Sequence, residues 1–249
     1  MAESSGFSES LPPPPWVVAH RGDSAHLPEN TVAAARRAKE VGADAVEVDV
    51  RLTRDGVPVL FHDSNLLRLA GAEGRIERMD LRALRELRTG SGAEREPIPT
   101  LRELVKTIPD PYPLNLELKG DRAGTDELLR AVFEALEGRS SVLLSSFDRK
   151  LLRRSRDLRP DLSLAPVGSR EPGELLATGE ELDAWSLHAH RRLVGEELIA
   201  SARSRGRPLL VYTVNDPEEA EELFDRGVAG VFTDDPGRLV EVRNRWRSR

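Results

Sequence analysis

The chain of 249 residues is long enough to bury a large core, and its length allows either one α/β barrel or two smaller domains. The net charge of -6 is modest and the basic residues are spread along the chain, which argues against a nucleic-acid partner. The absence of cysteine excludes disulfides, thiol catalysis and thiolate metal sites, so any metal would bind carboxylates, histidine or backbone oxygen, and a hard divalent cation is favoured.

We expect no targeting or membrane signal in the amino-terminal region. The first fifteen residues contain Glu3 and Glu9, no lysine or arginine, and no apolar stretch typical of a signal peptide. No apolar run approaches the roughly 20 residues that a spanning helix needs. We therefore expect a soluble, cytoplasmic protein without stable membrane insertion. Residues 1–15, polar and then proline-rich, are expected to form a disordered tail before a single domain at residues 16–249.

A βαβ unit follows this tail. The apolar run Trp16–His20 predicts a strand, and residues 28–31 predict a turn into an alanine-rich helix that ends near Gly42. Residues 45–53 alternate between apolar and polar side chains, which predicts a second strand. Two strands joined by a helix within so short a stretch indicate a parallel sheet.

A β-hairpin is expected next. The pattern of residues 54–61 predicts a tight turn and a second apolar run that leads into His62. If residues 55–56 form a two-residue turn, counting outward puts Asp49 directly opposite His62, with both side chains on one face. Glu47 faces the same way, so this register would bring all three side chains into one cluster.

Residues 64–99 break the alternation of helices and strands. This segment is rich in glycine, arginine and glutamate and predicts one short amphipathic helix at residues 79–87 and no strand. We expect it to be an insertion over the active-site face, where a lid or specificity element would lie.

From residue 101 onward the alternation returns. The expected helices cover residues 101–108, 126–136, 150–158, 172–177, 195–204 and 217–224. The expected strands cover residues 114–119, 142–147, 162–167, 184–188, 209–214 and 228–232. This pattern favours an α/β fold with a single (β/α)8 TIM barrel over a doubly wound sheet. Nine strand-like runs compete for eight barrel positions, so either the hairpin strand or the final short run must share a position.

Polar residues at the ends of different strands would converge on one face of such a barrel. Among them are three carboxylates, two histidines and two fixed cations, namely Glu47, Asp49, Glu117, His20, His62, Arg21 and Lys119. The strand ends also carry Ser146, His188 and residues 212–215. Uncompensated burial of three carboxylates is costly, and a divalent cation would neutralise two of the charges. The oxygen ligands suit Mg²⁺ or Ca²⁺.

Several short motifs, in order along residues 16–236, resemble the glycerophosphodiester phosphodiesterase family. They are His20-Arg21-Gly22, Pro28-Glu29-Asn30-Thr31, Glu47-Val48-Asp49-Val50, residues 52–56, residues 59–63, residues 115–119, Ser145-Ser146-Phe147, residues 212–216 and residues 230–234. The resemblance implies a barrel hydrolase that uses one divalent cation. Its expected substrates are small glycerophosphodiesters, such as glycerophosphocholine and glycerophosphoethanolamine, which it would split into sn-glycerol 3-phosphate and an alcohol.

The same resemblance implies roles for individual residues. The implied metal ligands are Glu47, Asp49 and Glu117. The implied acid and base are His20 and His62, and the implied phosphate-binding cations are Arg21 and Lys119. Tyr212 stands where the family often has tryptophan, and it is read either as a substrate wall or as barrel packing. Glu29 and Asn30 are expected to start a helix and shape the site.

Other questions stay open at this point. A lysophospholipase D-like enzyme would need an apolar entry groove, which four residues of the insertion could line: Leu66, Leu67, Leu69 and Ile76. A non-catalytic binding barrel would be expected to lack one of the seven charged or histidine positions, and all seven are present. Attack by the neighbouring glycerol hydroxyl and direct attack by water are not distinguished. The remaining histidines, His26, His188 and His190, are read as ordinary structural residues, and no oligomeric state is predicted.

Overall fold

A closed parallel barrel organises residues 6–90, 95–120 and 124–249, which are the residues that the computed structural model describes. In chain order its strands are β1 (Trp16–His20), β2 (Ala45–Leu52), β3 (Pro58–Leu60), β4 (Arg88–Thr89), β5 (Glu96–Pro97), β6 (Leu114–Leu118), β7 (Val142–Ser146), β8 (Ser163–Gly168), β9 (Leu187–His190), β10 (Leu209–Tyr212) and β11 (Gly230–Thr233). Parallel neighbours run in the order β1-β11-β10-β9-β8-β7-β6-β2, and pairing of β1 with β2 closes the barrel. The predicted fold class is confirmed.

Helices alternate with these strands. In chain order they are α1 (Gly6–Glu9), α2 (Val32–Glu40), α3 (Leu67–Ala70), α4 (Leu81–Leu84), α5 (Leu101–Thr107), α6 (Thr125–Ala135), α7 (Arg149–Leu158), α8 (Pro172–Glu181), α9 (Glu196–Ser204), α10 (Pro217–Asp225) and α11 (Pro236–Arg247). Most agree with the prediction within a residue or two, but α8 continues to Glu181 and α11 was not predicted. Among the described helices, none has the length and apolar character needed to cross a bilayer.

Side chains that follow the strands start several of the helices. The Thr31 hydroxyl accepts a hydrogen bond from the N–H of Ala34 (3.1 Å) at the start of α2. Asp148, Asp216 and Asp235 cap α7, α10 and α11 in the same way. Because such caps satisfy backbone N–H groups that the helix leaves unpaired, they fix where each helix begins. The helix amino-termini therefore lie near the carboxyl ends of the strands, beside the polar cluster.

The core lies between the strands and the surrounding helices. On β2 the side chains of Val46, Val48 and Val50 pack with those of neighbouring strands and helices in one apolar cluster. The intervening residues Glu47 and Asp49 have the opposite phase, as the two-residue period of a strand requires. The alternation read from the sequence thus separates the hydrophobic layer from the polar residues of the barrel interior.

The hairpin strand is the surplus strand-like run. β3 pairs antiparallel with β2 and lies outside the closed barrel, so the final strand β11 keeps a full barrel position. The predicted register is wrong by one residue. The N–H of Phe61 donates to the carbonyl of Asp49 (3.0 Å), so Phe61 and not His62 lies opposite Asp49.

The turn explains the shift. The N–H of Thr53 donates to the carbonyl of Val57 (3.0 Å), and the Thr53 hydroxyl accepts from the N–H of Val57 (2.9 Å). Residues 54–56 therefore connect the strands, one residue more than predicted. Gly56 has a φ of +77°, the left-handed conformation that commonly ends a three-residue hairpin loop.

Residues 6–15 differ from the expected disordered tail. Phe7 in α1 is 3% exposed and its ring packs edge-on against Trp185 with 5.2 Å between centroids. The indole N–H of Trp16 donates to the carbonyl of Pro12 (2.6 Å). This segment covers the amino-terminal end of the barrel, opposite the predicted site, because Phe7 also packs on Leu143 near the start of β7. The remainder of the expected tail, residues 1–5, lies outside the described residues.

The insertion has a small core of its own. Leu66, Ile76, Leu84 and Ile98 are buried and pack against Phe61 of the hairpin. The structure has a four-residue helix α4 in place of the longer helix expected at residues 79–87, and among the described residues of the insertion it adds helix α3 and a short 3-10 helix at Ile76–Arg78. The expectation of no strand is wrong, because β4 and β5 pair antiparallel. Residues 91–94, between these two strands, lie outside the described residues.

Candidate active site

Three acidic side chains converge inside the carboxyl-terminal end of the barrel. Ligand-type oxygen atoms of Glu47, Asp49 and Glu117 all lie within 4.8 Å of one another. The strand register explains this, since Asp49 on β2 lies beside Glu117 on β6. Glu47 and Asp49 are almost completely buried, so their mutual repulsion is weakly screened by water.

The charge state of Glu47 reflects this crowding. Burial, followed by the charge of Asp49, raises the pKa of Glu47 to about 8. One of its oxygens, Oε1, is buried and has no hydrogen-bond partner within the described part of the chain. Burial and the same neighbour also raise the pKa of Glu117. A site of three oxygen ligands with excess negative charge and an unpartnered carboxylate oxygen fits a hard divalent cation.

Asp49 is the best-compensated member of the trio. Its carboxylate lies 2.8 Å from Lys119 Nζ and 3.2 Å from Arg21 Nε, and it accepts a hydrogen bond from Asn30 Nδ2 at 2.8 Å. Burial alone would raise the pKa of Asp49, but the charges of Lys119 and Arg21 outweigh it and hold the pKa well below its ordinary value. Lys119 also pairs with Glu117. Both fixed cations expected at the site are therefore in direct contact with the carboxylates.

Arg21 follows β1 in an unusual backbone conformation. Its φ is +58°, in the left-handed region of backbone conformation that residues other than glycine rarely adopt. This conformation lets its backbone N–H donate to Glu47 Oε2 (2.8 Å) while its guanidinium reaches Asp49 and Glu29. Gly22 continues the turn at φ +82°, where an added Cβ would lie 2.6 Å from the Ala34 carbonyl carbon. The Arg-Gly pair is thus explained by a close approach of β1 to α2.

His20 ends β1 and is held by a carboxylate from the last strand. Its Nδ1 lies 2.8 Å from Asp234 Oδ1, and Asp234 in turn accepts from Asn215 Nδ2 (2.7 Å) and from the Ser24 hydroxyl (3.2 Å). Burial disfavours the charged imidazole, but the hydrogen bond to Asp234 and the charge of Glu47 outweigh it and raise the pKa of His20. Nε2 is the ring nitrogen left to face a substrate.

His62 follows the hairpin and has a similar partner. Its Nδ1 lies 2.6 Å from Asp63 Oδ1, which leaves Nε2 free of that contact. Its side chain is 34% exposed, compared with 18% for His20. Burial lowers the pKa of His62, and the attraction of Asp49 opposes this effect without overcoming it. The two histidines therefore have pKa shifts of opposite sign.

Tyr212 stands at the end of β10 beside a small chamber. Its hydroxyl donates to the carbonyl of Gly168 (3.0 Å), and its ring makes an edge contact with Phe147, which is 53% exposed. The chamber, of about 20 Å³, is lined by Tyr212 together with His20, Glu47, Asn115, Glu117, Ser145, Val167, His188 and Phe232. Tyr212 thus contacts both the barrel and its mouth, and both readings of its role are compatible with its position.

The other three histidines have local partners. His188 is buried with Nε2 3.1 Å from the Ser186 hydroxyl, and burial lowers its pKa to about 3. His190 Nδ1 accepts from the N–H of Arg192 (3.2 Å). His26 pairs with Asp23, and these two residues form with Asp235 a second group of possible metal ligands. Asp23 is also paired with Arg37 at 2.6 Å, and His26 of this group is exposed, whereas Glu47 and Asp49 of the barrel trio are both buried.

All seven charged or histidine positions predicted from the sequence meet at this end of the barrel. The residues that hold them were only partly foreseen. Glu29 and Asn30 do shape the site, since they bond Arg21 and Asp49. Asp63 and Asp234 were given no role of their own, although each bonds a histidine. The available signal was the carboxylate next to His62 and the Asp at the end of the last motif.

Comparisons with known proteins find related sequences over most of the chain. The model of the glycerophosphoryl diester phosphodiesterase family matches residues 20–238. A glycerophosphodiester phosphodiesterase of Caldanaerobacter subterraneus subsp. tengcongensis is 34% identical over 237 residues, 91% of this chain and 96% of that protein. A probable glycerophosphodiester phosphodiesterase 2 of Mycobacterium tuberculosis is 34% identical over 252 residues, 92% of each chain.

Solved structures are similar over the same length. A phosphodiesterase of Oleispira antarctica, in complex with the product sn-glycerol-3-phosphate, matches with a TM-score of 0.88 and 33% identity, covering 96% of this chain and 99% of that one. A glycerophosphodiester phosphodiesterase of Thermotoga maritima matches with a TM-score of 0.78 and 31% identity, covering 91% of this chain and 97% of that one.

Proposed function

Because the chain belongs to the glycerophosphoryl diester phosphodiesterase family, we propose that it hydrolyses small glycerophosphodiesters with the help of one divalent cation. The products would be sn-glycerol 3-phosphate, the ligand of the Oleispira antarctica structure, and an alcohol. The observation that carries the proposal is the group of three convergent carboxylates flanked by two fixed cations and two carboxylate-backed histidines. Glycerophosphocholine and glycerophosphoethanolamine are the proposed substrates, and a cytoplasmic location remains a prediction from the sequence.

The metal ligands would be Glu47, Asp49 and Glu117. A cation bound there, Mg²⁺ or Ca²⁺ by ligand type, would offset negative charge on the non-bridging phosphate oxygens. Arg21 and Lys119 would bind the same oxygens from the protein side, which favours the extra charge that develops as the phosphate is attacked. Both are anchored by carboxylates, so little side-chain freedom would be lost when the phosphate binds.

The two histidines would exchange protons with the substrate. Each has Nδ1 bonded to a carboxylate, which fixes the ring and leaves Nε2 as the reacting nitrogen. One would take the proton of the attacking hydroxyl as the new P–O bond forms, and the other would protonate the departing alkoxide as the old P–O bond breaks. The raised pKa of His20 suits the acid and the lowered pKa of His62 suits the base.

The attacking group is either the neighbouring glycerol hydroxyl, which would give a cyclic phosphate that water then opens to sn-glycerol 3-phosphate, or a water molecule, which would give that product directly. Trapping a cyclic glycerol phosphate would support the first route. Full-rate turnover of an analogue that lacks the neighbouring hydroxyl would rule it out.

The alternative activity on lysophospholipids has lost much of its support. Leu66 and Ile76, two of the four residues that could line an apolar groove, are buried in the core of the insertion, and Leu69 is partly buried there. Leu67, at 66% exposure, is the one of the four that remains on the surface. A glycerophosphodiester without an acyl chain is therefore the better substrate hypothesis.

One titration tests the proposal. Hydrolysis of glycerophosphocholine is measured with Mg²⁺, with Ca²⁺ and with EDTA. We expect turnover with at least one cation and its loss with EDTA. Activity that persists in EDTA would refute the metal requirement, inactivity with both cations would refute the substrate class, and preference for a lysophospholipid would favour the alternative.

A further inference from the structure

Arg68, on the short helix α3 of the insertion, bridges two carboxylates beside the site. Its guanidinium donates to Glu29 through Nη1 (2.9 Å) and Nη2 (3.0 Å), and to Asp63 through Nε (2.7 Å) and Nη2 (3.0 Å). Four charge-assisted hydrogen bonds to two partners use most of the donors that a guanidinium has. Such an arrangement fixes the positions of both carboxylates relative to each other.

Each of these carboxylates also holds a residue of the proposed machinery. Glu29 Oε1 accepts from Arg21 Nη1 at 2.8 Å, and Asp63 Oδ1 lies 2.6 Å from His62 Nδ1. The five groups form a continuous row: positive and negative charges alternate from Arg21 through Glu29 and Arg68 to Asp63, and Asp63 bonds the His62 ring. Arg68 is the central member of this row, and within the described part of the chain its ion pairs are with Glu29 and Asp63.

The electrostatics of the row depend on its centre. The Arg68 hydrogen bonds hold the pKa of Asp63 well below its ordinary value. Burial alone would raise the pKa of Glu29, and the contacts with Arg68 and Arg21 lower it instead. Without Arg68, Arg21 would be the remaining ion-pair partner of Glu29 in this row, and His62 would be the remaining partner of Asp63.

The fold also fixes Arg68 itself. Leu66, directly before α3, is fully buried in the core of the insertion, and its N–H donates to the carbonyl of Gly74 at 3.1 Å. The N–H of Ala70 donates back to the carbonyl of Leu66 at 2.8 Å. Moving α3 would expose Leu66, so the backbone that carries Arg68 is held by packing.

We propose that Arg68 is a positioning residue through which the insertion sets the geometry of both Arg21 and His62. The inference rests on the proposed function, because it takes Arg21 to bind phosphate and His62 to transfer a proton. Without Arg68, Glu29 would pair with Arg21 alone and would compete with phosphate for its guanidinium, so phosphate binding would weaken. Asp63 would pair with His62 alone and would displace its ring, so turnover would slow.

The test compares Arg68→Met and Arg68→Lys with the matched control Arg54→Met. Arg54 forms a comparable two-point pair with exposed Asp80, but this pair has no link to the site. For each variant the melting temperature, kcat and KM for glycerophosphocholine, and the affinity for inorganic phosphate are measured. Partners of ligands and catalytic groups typically contribute about 10- to 100-fold, so we expect Arg68→Met to lose about that much in kcat/KM, with kcat and KM both affected. Arg68→Lys should recover only part, because an ammonium lacks the planar fork.

A second comparison separates positioning from a general structural effect. The effects of Arg68→Met and Asp63→Asn on kcat should be less than additive, since both act through His62, whereas Arg54→Met should add independently. Arg68→Met with kcat and KM within about twofold of the wild type would overturn the inference. If Arg68→Met does not fold, Arg68→Lys decides by the same criterion.

Phosphate binding keeps this inference distinct from the proposed function. If the wild type hydrolyses no glycerophosphodiester, the proposed function fails. The link from Arg68 to Arg21 still stands if Arg68→Met binds inorganic phosphate more weakly than both the wild type and Arg54→Met. Equal phosphate affinity in all three proteins, with no turnover, would overturn both.

Discussion

At the scale of single residues, the site is governed by which charge each side chain faces. His20 and His62 have the same kind of Nδ1 partner, yet the pKa of His20 is raised and that of His62 is lowered. Burial disfavours the charged form of both rings. For His20 the hydrogen bond to Asp234 and the charge of Glu47 outweigh burial, whereas for His62 burial prevails over the attraction of Asp49, helped by the positive charges of Arg21 and Lys119. The balance of burial and neighbouring charge therefore makes His20 the better acid and His62 the better base.

Asp234→Asn tests the pairing of His20. Because the folded pKa of His20 is raised, its pairing with Asp234 stabilises the fold fully below the unfolded pKa of about 6.5 and the effect is lost as pH rises through the folded pKa. With EDTA present, the substitution should lower the melting temperature more near about pH 5 than near about pH 9. Activity should fall about 10- to 100-fold.

Asp161→Asn is the matched control for that experiment. Asp161 pairs with Arg159 on the surface, and such pairs contribute about 0–1 kcal/mol. Its effect on the melting temperature should be small and similar at both pH values, since Asp161 and Arg159 both stay charged over this pH range. Equal losses for Asp234→Asn at the two pH values would contradict the pairing of His20.

Cation affinity should depend on the protonation of Glu47. With its pKa raised to about 8, this carboxyl must lose a proton before it binds a metal, so the apparent affinity for Mg²⁺ should fall about tenfold per pH unit below about pH 8. The metal-free protein should also lose stability as pH rises from about 4.3 to about 8, because the unfolded chain releases this proton more readily. Calorimetric Mg²⁺ titration measures the slope. An affinity that is constant across this range would contradict the prediction, and Glu47→Gln should bind weakly at every pH.

At the scale of elements, the hairpin and the insertion contribute more to the geometry of the site than the sequence predicted. The three-residue turn of the hairpin shifts the register by one position, yet His62 still lies near Asp49, because it follows the strand end and its carbonyl accepts hydrogen bonds from Arg51. The predicted cluster is therefore present although the predicted route to it was wrong. The insertion likewise has its own core, and it presents Arg68 to the site.

The amino-terminal segment should contribute to stability and not to catalysis. Phe7 is buried at the end of the barrel opposite the site, and Phe→Ala changes in a core cost about 3–5 kcal/mol. Phe7→Ala should lower the free energy of unfolding by about 3 kcal/mol and leave kcat/KM of the folded protein unchanged. Phe147→Ala, at a 53% exposed phenylalanine, should lower stability far less in the same denaturant titration. Equal effects would contradict the burial of Phe7.

At the scale of the whole molecule, helix α11 is joined by a buried ion pair to the segment that precedes β2. Arg243 on α11 is paired at 2.5 Å with Asp44, which precedes β2 and accepts a hydrogen bond from the N–H of Val17 (2.7 Å) on β1. Both side chains of the pair are less than 10% exposed. The closure of the barrel between β1 and β2 is therefore supported by a residue near the carboxyl end of the chain.

Removing one partner of this pair should be strongly destabilising. An uncompensated buried charge costs about 3–5 kcal/mol, so Arg243→Met should lower the free energy of unfolding by about that amount. The control Arg154→Met breaks an exposed two-point pair with Asp126 and should change stability far less, because water screens both charges. Denaturant unfolding of both variants measures the difference, and a loss below about 1 kcal/mol for Arg243→Met would contradict a structural role for the pair.

The sequence by itself determined the alternation of helices and strands, the barrel class and the seven converging side chains, because these depend on periodicity and on motifs that are local in the chain. It could not determine which strand lay outside the barrel or the register of the hairpin. It also could not determine that residues 6–15 pack against the barrel, or that α11 is present. Those features depend on packing between distant segments, such as Phe7 on Trp185 and Arg243 on Asp44. The partners of the catalytic candidates were hidden for the same reason: Asp234 reaches His20 from the opposite end of the chain, and Arg68 reaches Glu29 from the insertion, so only the tertiary structure decided how the site is held.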